Sequence, residues 1–137
     1  MNAIDFKNIR IGESLPPLVK GPLDREQIKL YAQASGDFNP IHLEDDVARK
    51  AGLPGVIAHG MLSMAFIGEY LYSILNDPMQ LESFNCRFRA KTFPGDVITI
   101  SGKVKSQSDS RALIELETRN QQGEITTTGQ AEIRWRY

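Results

Sequence analysis

The spacing of apolar residues along the chain changes from a helical to a strand-like period near residue 79. Before that point "MLSMAFIGEYLYSILN" is apolar on nearly every side over about four turns, which predicts a long helix that is buried all round. From Met79 onward, apolar and polar positions alternate, as in strands with one buried face. The strand segments are "LESFNCRFRA", "VITISGKVKS", "RALIELETRN" and "EITTTGQAEIRWRY". Connections this short favour antiparallel pairing, because parallel strands need long crossovers.

Two shorter helices are predicted upstream of the long one. The first, "LDREQIKLYAQASG", has Asp24 as its N-cap, Gln27 at the reciprocal capping-box position and Gly36 at its end. The second, "LEDDVARKAG", has acids in its first turn and Gly52 as a stop signal. One face of the first helix is predicted to carry Ile28, Tyr31 and Ala34.

These elements predict one α+β domain over residues 1–137, with an antiparallel sheet packed on one long central helix. The sheet can cover only part of a helix that is apolar on all sides. The remaining surface needs another cover, and a homodimer is the simplest one.

Composition and charge exclude several classes of function. The chain is 41% hydrophobic and 24% charged with a net charge of -1, which is typical of a globular protein and lacks the basic face that nucleic acids need. It has no signal-peptide pattern and no apolar run of about 18–20 residues, so a cytoplasmic protein without membrane contact is expected. Cys86 is the single cysteine, which leaves no intrachain disulfide, and its strand-like setting favours a buried thiol over a nucleophile.

The candidate chemistry lies in "SGDFNPIH", between the first two helices. Asp37 and His42 are five residues apart, and Asn39 before Pro40 is pushed toward an extended conformation, so the acid and the base lie on a bent loop. Such a pair can take a proton from water and deliver one to carbon. Gly, Asp, Asn and Pro are also the residues that turns favour, so a plain surface turn is the alternative on local composition.

A second feature, "AHGML", favours the catalytic interpretation. Gly60 opens the long helix, where the first N–H groups have no partner within the helix and the dipole is positive. A developing oxyanion is stabilised by such a site, and glycine lets a carbonyl approach the backbone. Asp37, His42 and Gly60 are together suited to adding water to a double bond conjugated with a thioester carbonyl.

The stretches "YAQASGDFNPIHLEDDVA" and "GVIAHGML" resemble the motif of the MaoC-like dehydratases, whose members include the R-specific enoyl-CoA hydratases, or hydratase 2. The block from Gly36 to His42, with Ala48 six residues beyond the histidine, matches the family pattern, and Tyr31 holds its aromatic place. Ala34 stands where a larger aliphatic residue is usual. The likeness extends in outline to the whole chain, including "RFRAKTFPGDVITISGKV".

The resemblance implies a hot-dog fold, in which an antiparallel β-sheet wraps a long central α-helix and two subunits pair their sheets. It also implies that Asp37 and His42 are catalytic, that the Gly60 N–H is the oxyanion donor, and that trans-2-enoyl-CoA is hydrated to (3R)-3-hydroxyacyl-CoA without a metal or redox cofactor. The expected partners are the acyl-CoA substrate and a second copy of the chain, as a dimer or dimer of dimers. The alternatives are a hot-dog thioesterase and a non-catalytic acyl-CoA-binding module.

Further residues are candidates for substrate contact, each with a structural alternative. Asn39 is better suited to supporting the loop through hydrogen bonds to its backbone than to taking part in the reaction. His59 suits capping or packing, and two histidines seventeen residues apart with no second cysteine argue against zinc. Arg87 and Arg89 suit the phosphates of coenzyme A, although a charged strand face is usually only solvated. The full set of predicted substrate-binding residues is Asn39, His59, Met61, Ser63, Arg87 and Arg89.

Overall fold

A computed structural model describes residues 3–135 of the chain, and its framework is a five-stranded antiparallel sheet. The order across the sheet is β1-β3-β4-β5-β2, so β1 and β2 form the edges. The strands are β1 (Leu18–Lys20), β2 (Leu81–Phe88), β3 (Ile98–Gln107), β4 (Arg111–Arg119) and β5 (Ile125–Arg134). The antiparallel prediction is confirmed. The predicted extension of the last strand to residue 137 lies outside the described residues.

Three α-helices join this sheet: α1 (Arg25–Ser35), α2 (Asp45–Lys50) and α3 (Gly60–Ile74). The predicted ends of α1 are confirmed, because Asp24 Oδ1 accepts the Gln27 N–H at 2.7 Å and Gly36 ends the helix at a φ of 77°. The left-handed conformation at that point is one that glycine adopts without strain.

Helix α3 packs on one face of the sheet, and the side chains between the two form the hydrophobic core. Alternate residues of the three central strands point toward the helix, and their side chains are almost fully buried. The inward side chains with at most 3% exposure include Ile98, Ile100, Val104, Ala112, Ile114, Leu116, Ala131 and Ile133. The matching residues of α3 with at most 6% exposure are Leu62, Phe66, Ile67, Tyr70, Leu71 and Ile74.

One chain does not bury α3 on every side. Met61 and Tyr72 are 54% and 58% exposed, and Ala65 between them is also exposed. This stripe agrees with the expectation that the sheet covers only part of the helix. Of the three residues predicted to share a face of α1, Ile28 is buried, Tyr31 is half-buried and Ala34 is exposed. The second buried residue of the helix is Ala32, one turn after Ile28.

Two glycines lie in one row across the sheet, where Gly102, Leu116, Gly129 and Cys86 are register partners. A Cβ at residue 129 would lie 2.4 Å from the backbone oxygen of Asn85, so only glycine allows β2 to approach β5 this closely. Cys86 is half-buried on β2, and burial raises the pKa of its thiol, which disfavours the reactive thiolate.

Candidate active site

The loop of residues 35–42, called the site loop below, is bent by hydrogen bonds between its own near neighbours. Ser35 Oγ accepts the Asp37 N–H at 3.2 Å, and Asp37 Oδ1 accepts the Asn39 N–H at 3.1 Å. Asn39 Oδ1 accepts the Ile41 N–H at 3.2 Å and so caps a short 3-10 turn, Pro40–His42. The polar residues that make this a turn therefore also set the positions of the acid and the base.

The side chain of His42 points back toward Asp37. Its Nδ1 lies 2.7 Å from the carbonyl oxygen of Ile57, which can only accept, so Nδ1 carries the proton and Nε2 keeps a lone pair. Nε2 is 4.0 Å from Asp37 Oδ2. This gap is longer than a hydrogen bond and leaves the two groups facing each other across a small space.

Burial differs sharply between these two side chains. That of His42 is 9% exposed, and that of Asp37 is 53% exposed. Burial is the largest influence on the pKa of His42 and lowers it, and the neighbouring His59 also lowers it. The bond to Ile57 and the Asp37 carboxylate act in the opposite direction and raise this pKa. The net direction is below the usual 6.5, which keeps His42 in the neutral form that can accept a proton.

His59 lies directly against the pair. Its ring stacks on that of His42 with centroids 3.8 Å apart and planes inclined by 26°, and Tyr31 of α1 contacts its edge at 4.9 Å. Its Nε2 donates to the backbone carbonyl of Asp37 at 3.0 Å. His59 holds the N-cap position of α3 but makes no side-chain cap bond, so the capping role that the sequence suggested is replaced by a contact with the site loop.

Gly60 follows at the first position of α3. Its N–H is one of the helix-start donors that have no partner within the helix. A Cβ at this position would lie 2.9 Å from Cε2 of Phe88, so the aromatic ring of β2 packs on the glycine. The close approach of the Phe88 ring therefore favours glycine at a position that also presents a backbone donor.

The other predicted contact residues are more scattered. Met61 is exposed beside Gly60, whereas Ser63 is buried one turn into α3. Because strand residues alternate, Arg87 and Arg89 point to the face of β2 opposite to Phe88. There Arg89 Nε donates to Thr128 Oγ1 at 3.1 Å, and both arginines line a polar groove on the outer face of the sheet. Within one chain the structure does not bring these arginines to the acid–base pair.

Asp37, His42 and His59 also form the one group of metal-ligating side chains found among residues 3–135, with ligand atoms within 4.8 Å of one another. Lone pairs of imidazole lie in the ring plane. Two rings that stack face to face do not direct those lone pairs at one ion, and each ring already uses one nitrogen to bond a carbonyl. The donor set does not fit a metal well, and the absence of a metal cofactor stays a prediction.

Sequence spacing did not reveal the cluster as a whole. The separation of seventeen residues between the two histidines concealed their stacking, and nothing in the pattern identified the Ile57 carbonyl or the Phe88 ring as neighbours of the site. Only the pairing of "GDFNPIH" with "AHG" pointed to it. The cluster contains a basic imidazole nitrogen, a carboxylate oxygen and a backbone donor. These are the groups that general acid–base catalysis next to a carbonyl requires.

Comparison with known families agrees with the fold and the site motif. The family model described as "MaoC like domain" matches residues 6–125. The R-hydratase PhaJ1 from Pseudomonas aeruginosa, in the unliganded form, superposes with a TM-score of 0.86 at 27% identity, over 96% of this chain and 85% of that chain. The hot-dog fold is thereby confirmed.

Two curated relatives illustrate the similarity in sequence. The fatty acid synthase subunit beta of Saccharomyces cerevisiae is 35% identical over 105 residues, which is 75% of this chain and 5% of the relative. The probable enoyl-CoA hydratase 2 of Dictyostelium discoideum is 27% identical over 131 residues, which is 93% of this chain and 44% of the relative. The chain thus spans only a small part of the fatty acid synthase subunits that it matches.

Proposed function

Since this chain belongs to the MaoC-like dehydratase family, we propose that it reversibly hydrates trans-2-enoyl-CoA to (3R)-3-hydroxyacyl-CoA. The observation that carries the proposal is the 4.0 Å gap between Asp37 Oδ2 and His42 Nε2, next to the start of α3. A water molecule beside the two atoms can bridge them, within hydrogen-bond reach of a basic nitrogen and of a carboxylate oxygen. No metal or redox cofactor takes part.

In this mechanism the Gly60 N–H donates to the thioester carbonyl and stabilises the negative charge that develops on its oxygen. Water then attacks the β-carbon, and the Asp37–His42 pair takes up the proton that the water loses. The pair returns a proton to the α-carbon, so that H and OH add across the double bond and the enzyme ends in its initial protonation state. His42 Nε2 is suited to proton uptake because Nδ1–H is engaged by Ile57.

The apolar surface near the site supports a homodimer, or a dimer of dimers, as the working form. Phe38, Met61 and Phe88 are each more than half exposed in a single chain. Phe88 also ends β2, an eight-residue edge strand whose outer backbone groups are available for pairing with another strand. Sedimentation equilibrium should give twice or four times the chain mass, and a monomer at micromolar concentration would contradict this part.

Incubation with crotonyl-CoA tests the activity. Hydration removes the conjugated-enoyl absorbance while the thioester stays intact, and chiral chromatography of the released acid should show the (3R)-3-hydroxy product. Thiol release with an unchanged enoyl group would instead identify a thioesterase, and binding without turnover would identify an acyl-CoA-binding module. The same assay with crotonyl-acyl carrier protein compares the two carriers, since the synthase relatives are much longer than this chain.

None of the described helices is both long and apolar enough to cross a membrane.

A further inference from the structure

We propose that His59 is a positioning residue that fixes both members of the acid–base pair from a single side chain. The inference rests on the hydration activity proposed above and replaces the expectation that His59 binds substrate. Three features of its surroundings carry it: its bond to the site loop, its stacking on His42 and its one unpartnered nitrogen.

The first feature joins His59 to the acid. Its Nε2 donates to the carbonyl oxygen of Asp37 at 3.0 Å. The Asp37 N–H donates to Ser35 Oγ, and its carboxylate accepts the Asn39 N–H, so these two bonds stay within the site loop. His59 is therefore the contact that ties the carboxylate to α3, and so to the backbone donor of Gly60.

The second feature joins His59 to the base. The ring of His59 covers one face of the His42 ring at a centroid distance of 3.8 Å, while Tyr31 supports His59 at 4.9 Å from α1. The plane of the His42 ring decides where the Nε2 lone pair points. Stacking and the bond to Ile57 together hold that plane, and so keep Nε2 at its place 4.0 Å from the Asp37 carboxylate.

The third feature separates positioning from proton transfer. His59 Nδ1 is buried and has no hydrogen-bond partner among the described residues. Its other nitrogen, Nε2, is engaged by the Asp37 carbonyl. Neither ring nitrogen of His59 is therefore free to exchange a proton with the substrate, and the residue acts through geometry.

The charged surroundings of His42 give this proposal a pH signature. The Asp37 carboxylate faces the ring from the site loop, His59 faces it from the start of α3, and Arg25, Glu26 and Lys29 of α1 line the crevice beside it. Of these groups, only His59 is altered in the variants below. Because His59 lowers the pKa of His42, its removal should raise that pKa toward the ordinary 6.5.

Two substitutions divide the roles of the side chain. His59→Gln keeps an N–H donor near the position of Nε2 but removes the ring, and His59→Phe keeps a ring for stacking but cannot donate to Asp37. Each should lower kcat by about 10- to 100-fold with KM nearly unchanged, because a misplacement of about 1 Å in a catalytic group can cost about 100-fold. Circular dichroism checks that both variants are folded.

Nuclear magnetic resonance of the imidazole nitrogens provides a readout without turnover. The chain has two histidines, so His59→Gln leaves His42 as the only signal. The wild type should show Nδ1–H for His42 and Nε2–H for His59. In His59→Gln the His42 titration and the acid limb of the kcat/KM profile should both move to higher pH. In His59→Phe the His42 titration should move less, because the ring still excludes water.

Three results would overturn the proposal: an unchanged kcat with a raised KM, an unchanged His42 titration in His59→Gln, or a titration of His59 itself that tracks activity. Asp46→Asn is the matched control, because its side chain is 92% exposed on the neighbouring helix. If the wild type does not hydrate crotonyl-CoA, the proposed function fails by itself, and the titration of His42 then decides the positioning role.

Discussion

The site loop and α3 meet at the candidate active site, yet they are held in opposite ways. Residues 36–40 are all exposed, and the turn is closed by hydrogen bonds between residues two positions apart. In α3 the side chains of Ile67, Tyr70 and Leu71 have no exposed surface, and the strands packed on the helix include β3, which begins more than twenty residues beyond the end of α3.

This difference separates chemistry from stability. The site loop contributes little buried apolar area, so replacing its acid or base removes a reacting group and leaves the core intact. Helix α3 contributes the core, so its buried residues determine the free energy of unfolding and affect the reaction only through the folded fraction. The substitutions below test this separation, from the largest expected effect to the smallest.

The largest effect is expected from Asp37→Asn and His42→Gln. Each should reduce turnover of crotonyl-CoA by at least about 100-fold, since a positioned proton-transfer group contributes about 10²–10⁴-fold. The free energy of unfolding should change little in Asp37→Asn, because the side chain is 53% exposed. Steady-state kinetics and urea unfolding measure both quantities, with Asp46→Asn as the control; near-normal turnover in both variants would refute the assignment.

The converse effect is expected from Ile67→Ala. This side chain is fully buried in α3, so its truncation leaves a cavity and should lower the free energy of unfolding by about 2–5 kcal/mol. Turnover per folded molecule should stay close to the wild-type value at 25 °C. A large loss of kcat in protein that remains fully stable would show that the helix core and the chemistry are not separable.

Gly60→Ala tests the boundary between the two regions. The new Cβ would lie 2.9 Å from the Phe88 ring, so overpacking should lower the free energy of unfolding by about 1–3 kcal/mol. The loss is moderated because Phe88 is half exposed and can move. The N–H is retained, but the methyl group hinders the approach of the carbonyl and should lower kcat. Adding Phe88→Leu should restore stability without restoring kcat; recovery of both would assign the glycine to packing alone.

The smallest effect is expected from Asp24→Ala. Loss of the bond from the Gln27 N–H should destabilise α1 by about 0.5–2 kcal/mol, as is usual for an N-cap. Since α1 supports His59 through Tyr31, kcat should fall only slightly. Asp24→Asn keeps an acceptor and should restore most of the stability in thermal unfolding; a loss of the same size in both variants would contradict the capping explanation.

The same contrast explains what could be predicted from the sequence. The turn at Asp37 and the N-cap at Asp24 depend on neighbours within a few residues, so their signals lie in short stretches of the chain. The alternation of β3, β4 and β5 is equally local, and it revealed the strands and their buried faces. The family motif joined two of these stretches and indicated the fold.

Features made by distant contacts were missed. β1 has three residues, too few to show a period, and it exists because Leu18 and Lys20 pair with Ile100 and Ile98 of β3. The stacking of His59 on His42 depends on how α3 enters the sheet, which no spacing records. The face predicted to carry Ile28, Tyr31 and Ala34 did not include Ala32, although α1 buries Ile28 and Ala32 at a spacing of four.

The short-range bonding of the site loop also bears on protein engineering. Because residues 35–42 are bent by bonds among themselves, a transfer of this segment to another scaffold carries the turn with it. The recipient must supply two things: a carbonyl that fixes the His42 tautomer and an aromatic ring against its face.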